Sequence, residues 1–187
     1  MKSDLVNKLF LSSCLMATSF VAQAENWTLT PSSKISFDIR SAGMSVVNGQ
    51  FQNYQSQMSF DNKSPNQASA KFVMDVNSLK LSKSSLKDMV FGESFFYANK
   101  YKTVTFQSNE VNSLGNNKYK INGNLTLRGV TRPVSFDTTL TPQSTNPKLM
   151  NVLSTTVINR SDFGMRKALG GIGEKVTIKL EGQWKAN

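Results

Sequence analysis

Two arginines stand four residues apart in NGNLTLRGVTRPVSFD (122–137), and a second group of bases, Arg160, Arg166 and Lys167, falls in NRSDFGMRKALGG (159–171). Guanidinium groups at such spacing suit a phosphate or a carboxylate. Little else offers chemistry. The 187 residues include no histidine, which removes the commonest general base and the commonest transition-metal ligand. The one cysteine is Cys14. From Glu25 onward the acids are Glu25, Asp38, Asp61, Asp75, Asp88, Glu93, Glu110, Asp137, Asp162, Glu174 and Glu181. They fall at wet strand positions or turns, and no two form an acid/base pair. Gly170-Gly171-Ile172-Gly173 is glycine-rich but follows no strand-to-helix phosphate loop. No catalytic residue, metal site or cofactor is assigned, and an enzyme is not expected.

The N-terminus reads as an export signal. Lys2 and Lys8 form a charged start, an apolar stretch runs from Leu9 to Val21, and Ala22-Gln23-Ala24 fits a cleavage site after Ala24. Residues 1–24 are therefore expected to leave as a signal peptide, with 25–187 as one exported, periplasmic domain. LSSC (11–14) looks like a lipidation box, but only Leu9 and Phe10 separate it from Lys8. Cys14 departs with the signal, so the remaining chain has no disulfide or thiolate site. Its 20 basic and 11 acidic residues give +9. The bases are spread rather than clustered, so nucleic acid is not expected. The positive balance allows transient contact with a membrane surface. The sequence leaves the oligomeric state open, a dimer included.

The elements that position these residues follow a period of two. In KISFDIR, Ile35, Phe37 and Ile39 alternate with polar residues. The same alternation recurs in AKFVMDV, TVTFQS, YKINGNLTL, VSFDTTL, STTVIN and KVTIKLEGQW. SVVNGQFQNYQSQMSF (45–60) reads as one long curved strand, or two joined by a bulge at Gly49. The count is about eight strands in a mostly antiparallel meander. One segment breaks the rhythm: Leu86, Met89 and Val90 recur at helical spacing, which predicts a short inserted helix over about 82–92, capped by a serine and ended by Gly92. This pattern predicts a closed, all-β antiparallel barrel. Arg128-Gly129 becomes a hairpin turn with glycine at positive φ. Both arginines are then expected to be solvated at a barrel end, with Leu125, Leu127, Val134 and Phe136 facing inward.

Eight strands enclose just enough space for side chains or one small ligand. The chain carries twelve Phe and eight Met, a mixture suited to an irregular apolar channel. Composition by itself fits an ordinary packed core better. Several stretches in order, however, resemble the YceI-like family of bacterial exported lipid-binding proteins: Trp27 with KISFDIRSAGMSVVNGQF, then GESFFYANKYKTVTFQS, NGNLTLRGVTRPVSF, NRSDFGM and GEKVTIKLEGQWK. LTLRGVTRPV and RSDFGM are the specific parts. The resemblance spans residues 27–185.

The resemblance implies an extended, eight-stranded lipocalin-like barrel whose apolar channel holds an isoprenoid or fatty amphiphile. It implies Phe37, Met44, Phe91, Phe95, Phe96, Phe106, Phe163 and Met165 as lining, and Arg160 or Arg166 as the partner of an anionic headgroup at the mouth. The chain departs from the family pattern at Ser32, Ser41 and Met89, where many members carry His, and at Leu86-Lys87, where they often carry Arg-Asp. The alternative is an outer-membrane-associated scaffold or stress protein without a bound lipid.

Overall fold

The computed structural model describes residues 25–166 and 171–187. The expected signal peptide and its cleavage after Ala24 lie outside the described residues. Eleven strands form one antiparallel sheet: β1 (Glu25–Leu29), β2 (Lys34–Ser41), β3 (Met44–Phe51), β4 (Tyr54–Phe60), β5 (Ser69–Asp75), β6 (Leu79–Leu81), β7 (Thr103–Gly115), β8 (Lys118–Leu127), β9 (Val130–Pro142), β10 (Leu149–Asn159) and β11 (Lys175–Ala186). Eight of them close a barrel in the order β1-β4-β5-β7-β8-β9-β10-β11 and back to β1. The closing pairs are Trp27 with Ala186 and Leu29 with Trp184.

The other three strands are continuations. β2 pairs with β11 above β1, β3 pairs with β2, and β6 pairs with β3. The chain is therefore eight long ribbons, three of them interrupted: at residues 30–33, at 52–53 and at the 3-10 turn Val76–Ser78. The interruptions sit side by side. Tyr54 Oη donates to the Ser33 carbonyl at 2.9 Å, and Asn53 N donates to Ser78 Oγ at 3.0 Å. Ser33 is buried there, its Oγ accepting from Gln183 N at 3.1 Å. Gly182 admits this approach, since a Cβ on it would stand 2.2 Å from that oxygen.

This corrects one strand expectation. Gly49 lies inside β3 and carries no break. It is small because Phe37 covers it, at 2.9 Å from where a Cβ would be. The register shift in this region falls between Ile39 and Arg40, and the chain bends at Gln52-Asn53. The alternation itself holds. Along β2, Ile35, Phe37 and Ile39 are buried and the residues between them are not.

Past the three interruptions, β6 pairs with β3 and not with β7. The segment joining β6 to β7 lies at this end of the barrel. It runs through a 3-10 turn, Ser84–Leu86, into α1 (Lys87–Phe91). No serine side chain caps this helix. It ends at Gly92, where the backbone turns extended, and glycine suits the position because a Cβ there would meet the Asp88 carbonyl at 2.7 Å. Val90, Phe95, Phe96 and Ala98 face the core from this segment.

Candidate functional site

The inward residues of eight alternating ribbons leave a cavity inside the barrel. At the lower end, near the β9–β10 hairpin, it is lined by Met58, Ala70, Leu140 and Trp184, and at the upper end by Phe37, Phe95, Phe96, Met165 and Arg160. Its volume is about 110 Å³. At roughly 10–15 Å³ per water-sized group, that is room for about eight to ten methylenes with the side chains as they stand.

Two groups of rings dominate the wall. Trp184, Phe72, Phe106 and Phe136 follow one another at centroid distances of 5.7, 6.4 and 5.0 Å. Phe96 stands between Phe37 at 5.7 Å and Phe51 at 6.2 Å, the latter edge-on. Such tilted and edge contacts are the favoured aromatic geometry. Gly123 makes room for Phe106, whose ring lies 2.6 Å from where a Cβ would be. Beyond the lower end, Tyr119 packs edge-on to Phe60 at 5.6 Å, and burial holds its phenol above the ordinary range.

The upper end is closed by two segments. From one come Phe95 and Phe96. From the other, the 3-10 turn Arg160–Phe163 and the residues after it, come Met165 and Arg160. The Ser94 carbonyl ties them, accepting from Arg166 N at 3.0 Å. Arg160 is fully buried. Its Nε donates to the Gly173 carbonyl at 2.9 Å and its Nη2 to Ile172 at 3.3 Å, while Nη1 reaches the Arg166 carbonyl. Glu174 Oε2 stands 3.8 Å from Nε. A buried cation needs this kind of enclosure to be tolerated.

Five of the residues implied as lining meet at this cavity: Phe37, Phe95, Phe96, Phe106 and Met165. Phe163 is buried behind the wall and Phe91 is half-buried against the core. Met44 is outside, 69 % exposed, because the Ala42-Gly43 turn at φ 47° and 81° carries the hairpin beyond the sheet. Arg160 touches the cavity, but its donors are spent on backbone carbonyls rather than turned to solvent. Arg166 is exposed.

The other arginine pair also differs from expectation. Arg128 and Gly129 form the tight hairpin turn, both at positive φ (53° and 72°), as a type I′ turn requires. Their strand neighbours Leu125 and Leu127 do face inward. Yet Arg128 and Arg132 are not simply solvated. Arg128 Nη1 donates to the Gly164 carbonyl and Arg132 Nε to the Asp162 carbonyl at 3.1 Å. They hold the loop that carries Phe163 and Met165.

Among the lining residues that sequence reasoning missed are two buried hydroxyls, Thr138 and Ser154. The signal was there: each stands in phase with inward neighbours, Thr138 with Phe136 and Leu140, Ser154 with Val152. Among the described residues, no three His, Cys, Asp or Glu side chains come together as a metal site.

The match to known proteins is broad. The YceI-like domain pattern covers residues 27–184. A UPF0312 protein of Yersinia pestis is 32% identical over 185 residues, 94% of this chain and 96% of that protein. The crystal structure of Burkholderia cenocepacia BcnA superposes with a TM-score of 0.76 at 27% identity, over 83% of this chain and 98% of that one. A polyisoprenoid binding domain from Saccharophagus degradans shares the fold at a TM-score of 0.64 and 14% identity, over 88% of this chain and 99% of its own. With the pattern matched from residue 27 to residue 184 and the same barrel in its relatives, this chain belongs to the YceI-like family.

Proposed function

We propose that the protein holds a long-chain isoprenoid or another amphiphilic lipid in the barrel, as a carrier in the periplasm. The observation that carries this reading is the cavity, walled by aromatic, aliphatic and thioether side chains. Each buried methylene contributes about 0.8 kcal/mol, so eight to ten of them give roughly 6–8 kcal/mol before the costs of ordering. Met58, Met74 and Met165 line the wall with flexible side chains, which lets the cavity adjust to a longer chain. The polyisoprenoid binding domain that shares the fold supports the same ligand class. The export pattern of residues 1–24 supports the compartment.

Native mass spectrometry of protein purified without detergent, followed by solvent extraction, tests this reading. A co-purifying prenyl or acyl lipid, or stoichiometric uptake of an added one, is the expected result. A barrel that carries no lipid and takes up neither a prenol nor a fatty alcohol refutes it, and leaves the fold as a scaffold.

A further inference from the structure

The wall of the cavity is apolar except at a few points, and one of them lies deep inside. Thr138 and Ser154 are 4 % and 6 % exposed, both line the cavity, and their hydroxyl oxygens are 2.6 Å apart. Neither makes another hydrogen bond among the described residues. Two hydroxyls own two protons and four lone pairs. Their mutual bond uses one proton and one lone pair. One O–H is therefore left with no protein acceptor, next to an apolar cavity. Leaving a buried donor unpaired costs more than one hydrogen bond normally contributes. Valine and alanine would fill the same positions without that cost.

The surroundings define the missing acceptor. Ser154 is the middle residue of the eleven in β10 and pairs with Leu180, another lining residue. The charged lining residue, Arg160, is six positions further along, about 20 Å of extended strand away. It donates to three carbonyls at the cavity's upper end. Nothing charged from Phe136, Leu140, Val152 or Leu180 faces the pair. A carboxylate or phosphate here would lose its hydration with no cation to replace it. A neutral oxygen would accept the spare proton at little cost.

We infer that Thr138 and Ser154 are the polar anchor of the cavity, and that they select a ligand with a neutral oxygen, a hydroxyl or carbonyl, seated deep in the barrel. This deepens the lipid-holding reading and rests on it. The wild type is compared with T138V/S154A and with S154A alone, using decane, 1-decanol and 2-undecanone in competition with an apolar fluorescent probe. The wild type prefers the alcohol and the ketone to the alkane. The double variant loses about three- to tenfold in their affinity, the worth of one neutral hydrogen bond, and keeps or improves its affinity for decane. A second readout does not depend on affinity: the carbonyl stretch of bound 2-undecanone lies at lower wavenumber on the wild type, and on S154A where the Thr138 hydroxyl remains as donor, than on the double variant.

Equal binding of alcohol and ketone by all three proteins, with an unchanged carbonyl stretch, overturns the inference. So does a wild type that takes up decane and shows no preference for oxygen. A wild type that takes up none of the three overturns the lipid-holding reading, and this inference with it.

Discussion

Arg160 holds its guanidinium carbon 5.3 Å from the centre of the Phe95 ring, joining the two segments that close the upper end of the cavity. The cation meets the electron-rich face of the ring while its N–H groups serve backbone carbonyls. Replacing it should therefore cost far more than a surface arginine. R160M keeps the apolar stem but removes the donors to Gly173, Ile172 and Arg166. We expect a loss of about 3–5 kcal/mol in urea unfolding, as for one broken member of a buried charged network. A loss under about 1 kcal/mol would mean the network contributes little.

Phe96 gives a second test. It touches both Phe37 and Phe51, so F96A leaves a hole in the upper wall. The expected cost is about 3–5 kcal/mol, and F96L should recover more than half of it. The measurement is the denaturation midpoint, with the slope checked for constancy.

Filling the lower channel should separate binding from stability. Ala70 is buried, lines the cavity and pairs with Met58. A70F puts a ring where the ligand chain would lie. Losing two methylene contacts already weakens a long-chain ligand about tenfold. Overpacking should change stability by no more than about 1–3 kcal/mol. Unaltered uptake of a long-chain prenol would place the ligand elsewhere.

Gly123 should not tolerate alanine. The new Cβ would stand 2.5 Å from the Gln107 carbonyl and 2.6 Å from the Phe106 ring. Backbone must move, or Phe106 must turn into the cavity. Thermal unfolding of G123A is expected to show a loss of about 2 kcal/mol.

One acid dependence can be signed. Burial pushes the Asp38 carboxyl up, but hydrogen bonds from Ser45 and Arg40, with the Arg40 charge, outweigh it and hold the group below its ordinary value. A carboxylate whose folded value is depressed adds stability above its unfolded value near 3.9, and that stability is lost as pH falls through the folded one. D38N should therefore be less stable than the wild type at pH 7, by under about 1 kcal/mol, because Arg40 is mostly exposed. Unfolding curves of the two proteins should converge once the pH has fallen below the depressed folded value. A gap that persists there would assign the effect to packing instead.

Much of the barrel was legible because alternation is a local signal. Ile35, Phe37 and Ile39, or Val176 and Leu180, declare their face without reference to any partner. The breaks at 52–53 and 76–78 were not legible, because Gln52 and Asn53 carry no glycine or proline. The bend there is made by Ser78 and Tyr54 reaching across ribbons. Arg160 misled for a related reason. Nothing in RSDFGM says that carbonyls up to thirteen residues away will enclose the guanidinium. Met44 misled because a family resemblance carries residue types, not the overhang of a hairpin. Thr138 and Ser154 were visible as polar residues at inward positions, a conflict between pattern and residue type that marks a site worth testing.

The closing pairs bring Thr28 and Asn187, 159 residues apart in sequence, into hydrogen-bond contact. β11 is also the common partner of β1, β2 and β10. Until β11 is in place, the other strands make an open, twisted sheet with two long free edges and an apolar inner face in water. Loop-closure entropy at this separation makes the final joining slow. The protein is thus most prone to aggregate while it is folding rather than once folded, and its stickiest period ends when Trp184 docks against Phe72.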